Sequence, residues 1–296
     1  MPLKTVGILS PGDMGHTVGK VLGEHGLRVI ACTQGRSRRT QVLAESANIT
    51  AVPTYQQLVV ESDLILSILV PAQAKAAAER VARALGETKT ELVYADCNAI
   101  APQTVRQIDE IVTAAGGNFV DASIIGPPPK NQGSTRFYAS GSDLHIFRGL
   151  SQFGLDIRPL GAEIGLASSI KMCYASMTKG LTALCTELLT AAEILGVSEA
   201  LGTEFKLSQS ALYERMERSL PSMPPKSRRW IGEMEEISAT FEHAGLTPKI
   251  LAGAADMYQF VGETHLADLS PEESESYPTL GEMISALAEH LKKQGV

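Results

Sequence analysis

The sequence predicts an α/β protein in two parts. A doubly wound parallel sheet is expected over residues 1–161 and an all-helical domain over 162–296, joined by a long helix. Three observations carry this. Short β-rich runs alternate with helical segments through the first 160 residues, the pattern of a parallel sheet covered by helices. From Leu166 onward apolar residues recur at steps of three and four without a strand signal. Between the first strand and first helix lies the turn "SPGDMG", Ser10 to Gly15.

The strand candidates, in order, are "TVGILS", "RVIAC", "DLILSIL", "ELVYAD", "NFVDASI" and "RFYAS". Between the first two, Met14, Val18, Leu22 and His25 keep helical spacing and Gly26 stops the helix. In the second half Ile170, Cys173, Met177, Leu181, Leu184, Leu188, Ala192 and Leu195 form one stripe that Gly196 ends. That is one helix of roughly 30 residues, about 45 Å long. Near the C-terminus Thr279 and Glu282 form a capping box after Pro278, followed by an apolar face of Leu280, Met283, Leu287 and Leu291. This layout suits a cleft between two domains.

The turn after the first strand has the parts of a dinucleotide loop. Gly12 permits close approach of backbone to a pyrophosphate, and Gly15 permits the helix to pack on the strand. Ser10 stands where the first glycine is usual, and Pro11 fixes the turn's φ. Asp13 and Met14 complete the loop. This is a Rossmann-type start, although a plain strand-to-helix turn would look similar. The end of the second strand shifts the balance towards the dinucleotide loop, although a solvated charge cluster at a loop tip would read the same way. An NAD site places an acidic residue there; this chain has Thr33, Arg36, Ser37, Arg38 and Arg39. A guanidinium grips a 2′-phosphate that a carboxylate would repel, so the expected cofactor is NADP. Which arginine makes the contact is left open.

Composition narrows the alternatives. With 44% hydrophobic and 20% charged residues the chain is an ordinary globular one. A formal net charge of -7 argues against a nucleic-acid partner, and no apolar run approaches the roughly 20 residues that span a bilayer. The N-terminus reads as a first strand rather than a signal peptide. Cys32, Cys97, Cys173 and Cys185 show no metal or disulfide spacing, so no metal is expected and a reducing cytoplasm is the expected location.

Together these residues resemble the β-hydroxyacid dehydrogenases, which include 3-hydroxyisobutyrate and 6-phosphogluconate dehydrogenases, in a divergent branch with its own C-terminal domain. "VGILSPGDMG" resembles the family's nucleotide loop. "LSILVP", with Val70 and Pro71, resembles the segment passing the cofactor's ribose, and "YADCNAIAP" the next strand end, with Asn98 where many members have a hydroxyl residue. "VDASIIG", holding Ser123, Ile125 and Gly126, resembles the substrate-binding strand, and "GAEIGLASSIKMCYA" the segment with the family's catalytic lysine, here Lys171. The resemblance implies an NADP domain, a helical domain, assembly as a homodimer, and a small-molecule substrate whose hydroxyl proton passes to Lys171 while hydride passes to nicotinamide. The surroundings of Lys171 agree: no charged residue lies within seven positions on either side.

Three departures bear on the substrate. Tyr174 follows Lys171 by one turn where the family has asparagine nearby; it either supplies the missing hydrogen bond or packs in the core. Glu233 and Met234 stand where the family carries lysine and aspartate. Ile125, Gly126 and Pro127 replace residues that hold a carboxylate, so Ile124, Ile125 and the prolines are expected to form a stiff apolar wall. A carboxylate against such a wall loses hydration without compensation. The expected substrate is therefore bulkier or less polar, with Arg228 or Arg229 of "SRRW" catching an anionic group, unless that stretch is only an exposed basic turn. Two further functions fit less well: an imine reductase, whose relatives generally lack this lysine, and a catalytically silent NADP-sensing protein.

Overall fold

The structure is a computed structural model that describes residues 3–129, 133–269 and 277–293. Its strands are β1 (Thr5–Ile8), β2 (Arg28–Cys32), β3 (Thr50–Val52), β4 (Leu64–Ser67), β5 (Val93–Asp96), β6 (Asn118–Ile125), β7 (Arg136–Ser140) and β8 (Asp156–Gly161). Helices α1 (Asp13–Glu24), α2 (Arg38–Ser46), α3 (Tyr55–Glu61), α4 (Ala74–Thr88), α5 (Pro102–Ala114) and the short α6 (His145–Gly149) lie between them. Then come α7 (Leu166–Ile194), α8 (Ser198–Ser208), α9 (Ser210–Ser219), α10 (Ser227–His243), α11 (Lys249–Gly262) and α12 (Leu280–Lys293).

All eight strands form one sheet, ordered β3-β2-β1-β4-β5-β6-β7-β8. Pairing is parallel from β3 through β6, β7 runs antiparallel to β6, and β8 returns parallel to β7. The sheet is thus mostly parallel rather than wholly so. The ten residues between β6 and β7 are too few for the helical crossover that a parallel return needs. The two-residue period of the strands sends side chains to opposite faces. Leu64 and Leu66 pack with Val18 and Leu22 of α1, whereas Ile65 packs on the other face with Leu58, Val81 and Val105.

The six expected strands are present. The two additional ones carry weak signals for physical reasons. β3 has three residues, two of them exposed, and β8 is an exposed edge containing Pro159 and Arg158. Helix α7 has 29 residues and the chain turns at Gly196 (φ 72°), as its apolar run and glycine stop predict. Its stripe, however, does not pack as a core face: Met177 is 62% exposed and Leu195 73% exposed, while Ala175, Ala183 and Cys185 are buried.

Residues up to Met172 form one compact unit and those from Cys173 onward a second, so the division falls inside α7. In the second unit α10 and α11 make a helical hairpin, with Trp230 set edge-on to Tyr258 at 5.2 Å. The Tyr258 hydroxyl donates to the Lys179 carbonyl at 2.6 Å. The capping box of α12 is formed: Thr279 N donates to Glu282 Oε2 at 2.7 Å and Glu282 N to Thr279 Oγ1 at 3.3 Å. Among the described residues, no helix is long and apolar enough to cross a membrane and no cluster of three or more His, Cys, Asp or Glu could hold a metal. All four cysteines are free thiols.

Candidate cofactor and active site

The residues expected to hold a cofactor gather at the carboxyl ends of parallel strands. Ser10 to Gly15 follow β1, Thr33 to Arg38 follow β2, Val70 and Pro71 follow β4, and Asn98 follows β5. Strand order reverses between β1 and β4, the crevice where open α/β sheets bind ligands. Gly12 is the N-cap of α1 in extended conformation, with no side chain capping the helix, so the first-turn N–H groups are left for another acceptor. A Cβ at Gly12 would enter open space. A Cβ at Gly15 would run into the Ser10 carbonyl oxygen, and one at Gly19 would press on Ile49. Gly15 therefore serves the helix–strand packing, and Gly12 leaves a cradle that suits a pyrophosphate. Met14 packs against the core beneath, and Asp13 is bound by Arg39 Nη2 at 2.5 Å.

At the end of β2 the five residues of the basic loop separate. Ser37 caps α2, its hydroxyl accepting from Thr40 N at 3.2 Å. Arg38 faces Glu45 across a loose 4.0 Å pair, and Arg39 belongs to Asp13. Thr33 closes the turn, its carbonyl accepting from Arg36 N at 3.1 Å. Arg36 is half-buried, one arm anchored by donation from Nη2 to the Leu9 carbonyl at 3.0 Å. It lines a cavity of about 360 Å³ together with Cys32, Gly35, Tyr55 and Arg80.

The β4 and β5 exits are tied by Asn98, which is buried. Its Nδ2 donates to Ser67 Oγ at 2.9 Å and to Asp96 Oδ2 at 3.0 Å, and its Oδ1 accepts from Leu69 N. Asn98 thereby fixes the segment that presents Val70 and Pro71, and its amide is already occupied by the framework. Burial pushes Asp96 up to about 7, with the neighbouring Asp121 carboxylate adding to the rise against the hydrogen bonds from Asn98.

Asp121, on β6, organises the other end of the site. Its Oδ2 accepts from Gly165 N (2.9 Å), Ala167 N (3.0 Å), Ser168 N (3.1 Å) and Ser140 Oγ (3.0 Å), and its Oδ1 accepts from Ser168 Oγ at 2.7 Å. A buried carboxylate from β6, with Ser140 Oγ beside it, thus caps the positive end of α7. Burial still holds its pKa above the usual carboxylate range. One turn into the helix, Lys171 reaches back to the same strand and donates from Nζ to the Ile124 carbonyl at 2.7 Å. The strand period puts Ser123 and Ile125 on the face of Asp121. Ser123 Oγ is buried with no protein partner. Gly126 has φ 126°, and a Cβ there would run into the Ser134 carbonyl oxygen.

One expectation needs correction. Ile124 does not wall the site: its side chain lies in the core with Val120 and Ala122, and only its carbonyl meets Lys171. Alternation along β6 forces this, since adjacent residues cannot face the same way.

The remaining expected residues lie in the second unit. Tyr174 is 48% exposed, which removes the core-packing alternative. Arg228 is committed to Asp268 at 2.8 Å and to the Gly262 carbonyl at 2.9 Å. Arg229 sits 3.5 Å from Glu233, which is also paired with Lys179. Lys179 in turn lies 5.4 Å from the Trp230 ring. This buried Lys179–Glu233 pair went unseen in the sequence, because its members are 54 residues apart. Met234 is fully buried.

Residues 5–149 match the NAD binding domain of 6-phosphogluconate dehydrogenase, and residues 192–261 match a domain of unknown function, DUF1932. The conserved protein MTH1747 of unknown function, whose structure is described as similar to 3-hydroxyacid dehydrogenases, is 30% identical over 87% of this chain and 97% of its own, with a TM-score of 0.65. The chain belongs to the β-hydroxyacid dehydrogenase family. Within it, the separate C-terminal domain marks a divergent branch. An uncharacterized 28.5 kDa protein of Methanothermus fervidus is 26% identical over 87% of this chain and 99% of its own. A 3-hydroxyisobutyrate dehydrogenase of Mycobacterium tuberculosis shares the fold, with a TM-score of 0.68 at 18% identity over 96% of this chain and 99% of its own. The first domain therefore binds a nicotinamide cofactor, and the family is one of oxidoreductases.

The two loop glycines make separable predictions. Gly12→Ala keeps folding stability within about 0.5 kcal/mol but weakens nicotinamide dinucleotide binding roughly tenfold or more. Gly15→Ala destabilises by about 2 kcal/mol or more, because a backbone carbonyl must move. Chemical denaturation beside cofactor titration checks both; the reverse pattern would show that Gly12 serves only packing.

Proposed function

We propose that this family member is an NADP-dependent oxidoreductase that interconverts a β-hydroxy acid-like alcohol, bearing a bulky or apolar substituent, with its carbonyl partner. The observation that carries the reading is Lys171 Nζ held at the Ile124 carbonyl on the strand that bears the unpartnered Ser123 hydroxyl. The nicotinamide supplies or accepts the hydride when bound. Lys171 Nζ then moves the matching proton: as the amine it takes the proton of the substrate hydroxyl, and as the ammonium it returns one to the carbonyl oxygen. The Ile124 carbonyl fixes the direction of Nζ, so the proton carrier is placed before substrate arrives. Ser123 Oγ, buried on the same strand, gains its hydrogen-bond partner from a substrate oxygen, which offsets the desolvation of that hydroxyl.

The end of β2 supports NADP over NAD, since Thr33, Gln34, Gly35 and Arg36 offer no carboxylate for ribose hydroxyls and one guanidinium for a phosphate. Ile125, buried on the Asp121 face of β6, and Pro127, which lacks an N–H, support an apolar substituent over a second carboxylate.

The test is NADPH-coupled turnover across hydroxy acids and their oxo partners graded in side-chain bulk, with Lys171→Met run beside the wild type. Expected are faster turnover as bulk increases and a loss of about 10²–10⁴ in rate for Lys171→Met at unchanged cofactor affinity. Efficient use of small acids with no gain from bulk would overturn the substrate class, and near-normal turnover by the folded variant would overturn the role of Lys171.

We also propose a homodimer built through residues 162–296. Met177, Leu184 and Ile194 leave exposed apolar side chains along α7, more than a solitary helix normally shows to water. Light scattering at micromolar concentration is expected to give twice the chain mass; the mass of a single chain would refute the assembly.

A further inference from the structure

The cavity beyond β2 is lined by two guanidiniums and no carboxylate: Arg36 from the β2–α2 loop, and Arg80 from α4, far away in sequence. The chain as a whole is acidic, with a formal net charge of -7, so this local excess of positive charge is not a product of composition. Arg80 is exposed, and its guanidinium carbon sits 5.5 Å from the centroid of the Tyr55 ring. Stacking on an aromatic face holds the planar fork in one orientation while leaving its edge N–H groups available. Arg36 is likewise held by a single donation to Leu9, leaving the remainder of its fork for another acceptor. Gly35, Ala72 and Ala76 line the same space with little side-chain bulk, beside the uncharged Gln34 and Gln73. Two guanidinium forks around a cavity of about 360 Å³ suit a dianionic phosphate monoester, which accepts from both through its terminal oxygens.

We propose that Arg80 of α4 is a second cofactor-specificity residue, which together with Arg36 clamps the 2′-phosphate of NADP while Tyr55 holds its guanidinium in place. The inference rests on the NADP reading above and extends it to a helix outside the β2–α2 loop, where that discrimination was expected to reside.

The experiment titrates the full chain with NADPH, NADH, adenosine 2′,5′-bisphosphate and adenosine 5′-monophosphate, using the wild type, Arg80→Ala, Arg80→Lys and Arg36→Ala. For the wild type, NADPH and the bisphosphate are expected to bind more tightly than their counterparts without the 2′-phosphate. Arg80→Ala is expected to lose roughly tenfold or more toward the two phosphorylated ligands and less than about twofold toward the other two. Arg80→Lys, which keeps the charge but not the fork, is expected to fall between wild type and Arg80→Ala. Wild-type binding that ignores the 2′-phosphate would overturn the NADP reading and the clamp together. A wild type that prefers NADPH with Arg80→Ala unchanged, or weakened equally toward all four ligands, would overturn the role of Arg80 alone. Because Arg80 is exposed on the helix surface, its replacement leaves the fold intact, and unchanged thermal melting of the variant verifies this.

Discussion

The active end of this protein depends on one buried carboxylate. Asp121 has no cation opposite it among its partners; instead it collects three backbone N–H groups and two hydroxyls, most of them from the start of α7. A helix of 29 residues presents a strong positive end, and its first N–H groups must be satisfied by something. Satisfying them from β6 fastens helix to strand, and the fastening sets where Lys171 stands. One turn on, the lysine has only to reach back to Ile124, three residues along the same strand. The placement of Lys171, the proposed proton carrier, and that of the strand of the proposed substrate site are thus two consequences of a single cap.

The cofactor end is governed by a different constraint, the need to bring backbone close to a polyanion. The two loop glycines divide the work. Gly15 makes room for the protein itself, against the Ser10 carbonyl, and Gly12 makes room for something else. Around them the framework consumes polar groups that could have bound ligand: Asn98 is spent on Ser67, Leu69 and Asp96, and Arg39 on Asp13. What is left facing outward from β2 is positively charged, and the proposed preference for a phosphorylated nucleotide rests on that charge.

Much of this was legible in the sequence because it is local. The turn "SPGDMG", the run that ends at Gly196 and the Thr279–Glu282 box each lie within a few residues and follow fixed spacings. Lys171 stood out by the absence of charge around it. What was not legible is non-local. Asp121 and Ser168 are 47 residues apart, Lys179 and Glu233 are 54 apart, and Arg80 and Arg36 line one cavity from separate elements, α4 and the loop after β2. No periodicity marks such pairs. The strand face of Ile124 could have been read from the two-residue alternation of "VDASIIG", in which Asp121, Ser123 and Ile125 share one side. The β6–β7 reversal was likewise implicit in a connection of only ten residues.

Amide hydrogen exchange across residues 163–172 tests the central claim most directly, because it reports the cap without knowledge of the substrate. The account predicts that Gly165, Ala167 and Ser168, although at a helix N-terminus where amides ordinarily exchange fast, are strongly protected in the wild type. It predicts that Asp121→Asn speeds their exchange roughly ten- to hundredfold, the worth of a charge-assisted hydrogen bond, with Lys171 loosened alongside. Fast exchange of these amides in the wild type, or protection that Asp121→Asn leaves untouched, would contradict it.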